Sequence, residues 1–168
     1  MTKEQFALNF LNSLLSTIIG GGFLTFLFFW LREKVFPLPD ITGRWYFEML
    51  TENSAYNPYK GMVLRYVAML WREGGRIEGT VEKFYEDSST GKRPFVGKDR
   101  TRGRVEGYIQ KNYFTRDRIV LHVVEDGHGR ESTNFYDLIF EPDGTMKGRF
   151  SSMVAEQDGS VQWQKEMF

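Results

Sequence analysis

One stretch concentrates the charge chemistry of this chain: Lys92-Arg93-Pro94-Phe95-Val96-Gly97-Lys98-Asp99-Arg100-Thr101-Arg102-Gly103-Arg104. Six of its residues are basic and one is acidic, in a chain with a formal net charge of zero. Such a run sets up a local positive field. Its glycines let backbone amides approach a phosphate closely. The chemistry on offer is recognition of an anion such as a nucleotide phosphate. A solvated loop, or an edge touching anionic lipid headgroups, answers to the same composition. Arg100, Arg102 and Arg104 alternate, so on a strand they share a side. With Lys98 they are the candidate phosphate contacts. Trp45, Tyr46, Trp71, Tyr108, Tyr136 and Trp163 are candidates to stack on a base. Trp45 and Trp163 share parity with apolar neighbours, so core packing is their expected role. Tyr66, Tyr108 and Tyr136 are the tyrosines expected to line a pocket mouth.

Catalytic side chains are few. There is no cysteine, which excludes a thiol nucleophile, a zinc-thiolate site and a disulfide framework. His122 and His128 fall on a predicted strand and the loop after it, in no metal-ligand spacing. His128, between two glycines, is placed to reach a ligand or to sit solvated. Glu125 and Asp126 are adjacent, so a strand points them apart and gives no carboxylate pair. No Walker loop, dinucleotide fingerprint or nucleophile elbow is present. The expectation is a binding protein rather than an enzyme, with no cofactor and no metal. Residues 37–168 are almost neutral, which argues against long nucleic acid as a partner.

The elements that would position these residues are strands. Beyond Pro37 and Pro39, alternation and turn signals define eight: 42–52, 60–73, 76–86, 101–113, 117–125, 132–141, 145–155 and 160–167. The first alternates Gly43, Trp45, Phe47 and Met49 against Arg44, Tyr46 and Glu48. Gly74-Gly75, Pro142-Asp143-Gly144 and Gln157-Asp158-Gly159 are the clearest turns, and 87–100 is a polar loop. Hairpin spacing without a long crossover predicts an all-β, eight-stranded, antiparallel, lipocalin-like barrel, with a β-sandwich as the other arrangement. Strand glycines such as Gly79, Gly103, Gly107 and Gly148 suit its bends. Trp45, Phe47, Tyr66, Leu121, Phe150 and Trp163 are expected to fill it.

Ahead of the barrel, Phe6–Leu31 is 26 residues without a charge. At 1.5 Å each, these reach beyond the ~30 Å hydrocarbon core. Trp30 suits the headgroup layer. The run is longer than a signal-peptide core and is followed by Arg-Glu-Lys rather than a small-residue cleavage pattern. The organisation is therefore one transmembrane helix with short flanks (1–36) and a soluble domain (37–168). Arg32 and Lys34 after the span, against Lys3 before it, favour a cytoplasmic barrel. Asn9, Asn12, Ser13 and Ser16 form a polar stripe, and Gly20-Gly21-Gly22 lies mid-span. Both features favour self-association.

Gly43-Arg44-Trp45 resembles the Gly-x-Trp opening of lipocalin-type barrels, in which the tryptophan plugs one end. The layout as a whole, a short N-terminal membrane segment and then a minimal eight-stranded barrel, resembles the transmembrane β-barrel effectors of bacterial cyclic-oligonucleotide anti-phage defence (CBASS). Membrane effectors of type III CRISPR systems are a related possibility. The CBASS resemblance implies a bacterial inner-membrane protein whose barrel binds a cyclic di- or oligonucleotide, then oligomerises and disrupts the membrane. Those relatives carry two or more membrane helices, and this chain has room for one. The alternatives are a membrane-tethered, lipocalin-like barrel for a lipid or other apolar ligand, and an anchored subunit that binds a protein.

Overall fold

The computed structural model describes residues 3–127 and 130–168. The chain divides into two compact units, one ending at Leu38 and one beginning at Pro39. The first is a single helix, α1 (Lys3–Trp30), extended by a wider π-helical turn, Leu31–Val35. Residues Ala7–Val35, 29 in number, are long and apolar enough to cross a membrane, and none of that segment is buried. Its Thr17 and Thr25 hydroxyls donate to the carbonyls of Ser13 and Gly21, which hides two polar groups within the helix. By length and composition this helix is a membrane anchor or a signal sequence.

The second unit is a closed barrel. Its strands are β1 (Gly43–Asn53), β2 (Val63–Glu73), β3 (Arg76–Ser88), β4 (Gly91–Pro94), β5 (Arg102–Gln110), β6 (Arg118–Gly127), β7 (Arg130–Phe140), β8 (Met146–Ser152) and β9 (Gln157–Gln164). Every pairing is antiparallel. The order runs β2-β1-β9-β8-β7-β6-β5-β3, and a β2–β3 ladder closes the ring. Eight strands make the wall, as expected, and the closure sets the sandwich aside.

Two local expectations are corrected. The segment 87–100 is not all loop, because β3 runs on to Ser88 and β4 folds back along its end. And Gln157-Asp158-Gly159 is not a turn but the start of β9. The chain reverses one step earlier, where Ala155 and Glu156 take left-handed backbone angles (φ 53° and 47°). Glycine is the usual residue there, so the turn carries no compositional signal. Gly159 is needed instead where β9 presses on β1, because a Cβ there would overlap the Leu50 carbonyl oxygen.

All six residues expected to fill the barrel are buried: Trp45, Phe47, Tyr66, Leu121, Phe150 and Trp163. The Phe47 ring is stacked between Trp163 (3.9 Å) and Tyr66 (4.6 Å). The end at which β1 begins is sealed. There Trp45 is fully buried, its indole N–H donates to the Ile41 carbonyl at 2.7 Å, and Lys165 lies 4.1 Å over its ring. Ile41, Ile77, Ile119, Leu138 and Met146 complete the apolar floor.

Candidate functional site

At the other end the barrel opens. Four of its strands carry a buried polar residue in the inward phase there, beyond the apolar ones. Thr51 follows Trp45, Phe47 and Met49 on β1. Glu125 follows Ile119, Leu121 and Val123 on β6. Asn134 precedes Tyr136 and Leu138 on β7, and Gln157 precedes Val161 and Trp163 on β9. All four are buried. Strand alternation alone brings them together, since each keeps its strand's inward parity. Glu125, Asn134 and Gln157, with Met49, Met62, Leu64, Tyr66, Lys83, Glu86 and Phe150, border a cup of about 210 Å³, and Thr51 adjoins it through Gln157.

Glu125 lines this cup and is only 4 % exposed. Its carboxylate accepts from the Tyr66 hydroxyl, at 3.1 and 3.3 Å to its two oxygens, and from the Asn134 amide at 2.8 Å. Burial pushes its carboxyl above the ordinary range, while Lys83 and the two hydrogen bonds pull it partly back. Burial and the nearby Glu125 charge raise the Tyr66 and Tyr136 hydroxyls well above the usual phenol value, so both are neutral donors. Tyr136 donates to the Met49 sulfur at 3.1 Å. Thr51 donates to the Gln157 side-chain oxygen at 3.2 Å, and the Gln157 amide to the Val154 carbonyl at 2.9 Å.

Lys83 is the cup's cation. Its ammonium is 3.3 Å from Glu86 and 4.9 Å from the Phe95 ring centre. Lys83 faces inward by plain alternation from Ile77, Gly79 and Val81. Glu86 does so because Phe84 is an extra residue against β2: Tyr66 pairs with Lys83, but Arg65 pairs with Tyr85.

The structure does not gather the seven candidate residues into one site. Tyr66 and Tyr136 are inside the barrel, not at its rim, because each keeps the inward parity of its strand. Tyr66 still reaches the cup with its hydroxyl. Tyr108 is exposed on the outer wall of β5, opposite Arg76 and Val120. Arg100, Arg102 and Arg104 share the outer side, as their alternation predicts. Arg100 and Arg102 both bind Glu82, at 3.1 and 3.2 Å, and Arg100 also donates to the Phe95 carbonyl at 3.3 Å. One carboxylate thus answers two of the three arginines. Arg104 is exposed between Thr80 and Val124, and Lys98 is exposed in the turn Gly97–Asp99. Of the histidines, His122 stacks on Phe135 on the outer wall at 4.7 Å, and His128 lies outside the described residues. Glu125 and Asp126 do point apart, inward and outward. The sequence reading missed the cup because it weighed Glu125 only as half of a carboxylate pair. The parity that marked Leu121 as core marks Glu125 too.

Fold and site define a class: a small antiparallel barrel, sealed at one end and polar at the other, behind an apolar N-terminal helix. No family model matches this chain, and no curated protein matches it. Among solved structures it is similar to a de novo designed fluorescence-activating β-barrel, with 16 % identity and a TM-score of 0.50 over 75 % of this chain and 94 % of the designed one. At that identity the likeness is one of fold alone.

Proposed function

We propose that this protein is a membrane-anchored effector of anti-phage defence. Its barrel binds a cyclic nucleotide second messenger, and binding favours a clustered state in which the helices associate and disturb the bilayer. The observation that carries this reading is the polarity of the barrel: one sealed end, one open and polar end, on a chain that also holds a helix of membrane-crossing length. A barrel built only as a scaffold gains nothing from burying Glu125, which weakens it. A lipid carrier needs an apolar hollow, and here stacked rings fill that space.

The cup is smaller than the roughly 300–1,000 Å³ that enclose a drug-sized ligand. It suits part of a nucleotide, with the phosphates outside. Exposed Lys92 and Arg93 on β4 stand at the same end to meet them. A ligand shifts clustering only by its differential affinity for the clustered form. The polar stripe of Asn9, Asn12, Ser13 and Ser16, with the mid-helix glycines, supplies the contact that clustering would use.

The test is full-length protein in nanodiscs, titrated calorimetrically with a panel of cyclic di- and oligonucleotides, with crosslinking to follow association and dye release from vesicles. Binding that increases crosslinked species and is weakened by Lys92→Glu with Arg93→Glu supports the reading. A folded protein that binds nothing on the panel sinks it.

A further inference from the structure

At the sealed end β2, β5, β7 and β9 finish and β1, β3, β6 and β8 begin. The loop from β5 to β6, residues 111–117, stands there on a frame of its own. Asp117 accepts the Asn112 backbone N–H at 3.0 Å and the Lys111 ammonium at 2.9 Å. The Asn112 amide donates to the Arg116 carbonyl at 3.0 Å, and Arg116 pairs with Glu141. This frame presents Tyr113 and Phe114 to water, and the Phe114 side chain is fully exposed. Trp71 and Tyr108 are exposed on the outer walls of β2 and β5, each two residues from its strand's end. Since β2, β3, β5 and β6 are consecutive neighbours in the ring, the four aromatics share one arc of the rim. The arginines of that arc are already partnered: Arg76 by Glu78, Arg116 by Glu141, Arg118 by Asp137, and Arg72 by the Gly74 carbonyl. A phenyl ring held in water is stabilised by leaving it, and Trp and Tyr favour the headgroup layer of a bilayer. The tether to the apolar helix reaches the barrel at this same end. Residues 36–42 join Val35 to Gly43, and those seven residues extend at most about 25 Å.

We propose that this arc of the sealed end rests on a phospholipid surface, with Phe114 at the boundary of headgroups and acyl chains and Trp71, Tyr108 and Tyr113 among the headgroups. The proposal rests on the helix being an anchor, and on no nucleotide. Its consequence is that the cup opens away from the lipid, so a ligand reaches it from water. Tyr56, Val96 and Met153 are exposed at the open end, and a barrel lying the other way up would use those instead.

The test uses the full chain in phosphatidylcholine vesicles. The chain has no cysteine, so Thr115→Cys, beside Phe114, and Thr90→Cys, at the β3–β4 turn of the open end, each give one labelling point. Both positions are exposed. Each carries an environment-sensitive dye, read with and without lipids that bear a nitroxide at the headgroup. The dye at 115 is expected to shift to the blue and to be quenched, and the dye at 90 to do neither. Adding Phe114→Ser to Thr115→Cys should remove most of that quenching, with an unchanged denaturant midpoint showing that the barrel is intact. High salt should leave the quenching in place, because partnered arginines do not hold the contact. An unquenched dye at 115, quenching at 90 as strong as at 115, quenching that survives Phe114→Ser or vanishes in high salt, or a chain that does not float with the vesicles each overturns the proposal. The effector reading fails separately. Quenching at 115 in a protein whose association no cyclic nucleotide changes sinks that reading and leaves the lipid contact standing. Nucleotide-driven association with an unquenched dye at 115 does the reverse.

Discussion

Glu125 makes the barrel sensitive to pH in a direction that can be worked out. Its carboxyl holds a proton more tightly in the folded chain than the ordinary unfolded value of about 4.3. Between those two values the folded state binds more protons, so stability falls as pH rises through that window. Glu125→Gln removes the effect. Thermal melts of the variant should lose less between pH 4.5 and 7.5 than those of the parent; parallel curves would show that Glu125 costs nothing when charged. Asp137 and Asp143, held low by Arg118 and by Thr145, act with the opposite sign, and they cancel in this comparison. Trp45 is the second residue with a clear consequence. Trp45→Ala should cost about 3–5 kcal/mol, the range for emptying a large aromatic site. Trp45→Phe should cost about 1–3 kcal/mol for the unpaired Ile41 carbonyl. Denaturant titration checks both. Parity made Trp45 legible as core. It made Glu125 equally legible as inward-facing, but a charge at an inward position reads as an exception until its neighbours are known.

At the scale of elements, hairpin spacing located the eight wall strands to within a few residues, because antiparallel neighbours need only short turns. It failed where a turn uses residues without a turn signature. Ala155 and Glu156 reverse the chain between β8 and β9, while the glycine nearby serves packing. Gly148 and Gly159 each sit where a Cβ would overlap a neighbouring strand's carbonyl oxygen, of Asp137 and of Leu50. Backbone cannot step aside as a side chain can. Gly159→Ala is therefore expected to destabilise the barrel by about 1–3 kcal/mol or more, by the measure of overpacking. Gly144→Ala meets no atom and is strained only by its own φ of 79°, so it should cost less. Equal losses in the two variants would argue against the close-approach account. The β4 strand escaped the sequence because it is exposed along its whole length and has no burial pattern to read.

The whole molecule joins an apolar helix to a barrel with its own core, and the two make separable predictions. A chain beginning at Pro39 should fold, give a β-type circular dichroism spectrum and stay in solution. The full chain should float with phospholipid vesicles in a density gradient. Flotation of both, or of neither, would count against an anchor, and a shortened N-terminus by mass spectrometry would mark a signal sequence. The layout was legible because a long uncharged run and a strand-turn rhythm are different kinds of pattern. The cup was not, since it is assembled from strands far apart in sequence, and the Thr51–Gln157 bond beside it spans 106 residues. Ring closure has a further consequence for a protein held at a bilayer. Confinement to two dimensions raises the frequency at which copies collide, and an open sheet under such crowding invites strand-to-strand templating. Here the β2–β3 ladder leaves the wall with no open seam. The outer flank of β4 is the short exception, and it carries Lys92, Arg93 and Pro94, residue types that discourage templating. Were the helix an anchor, copies of this chain could thus crowd at a membrane surface and still meet through side chains, a contact that can be undone.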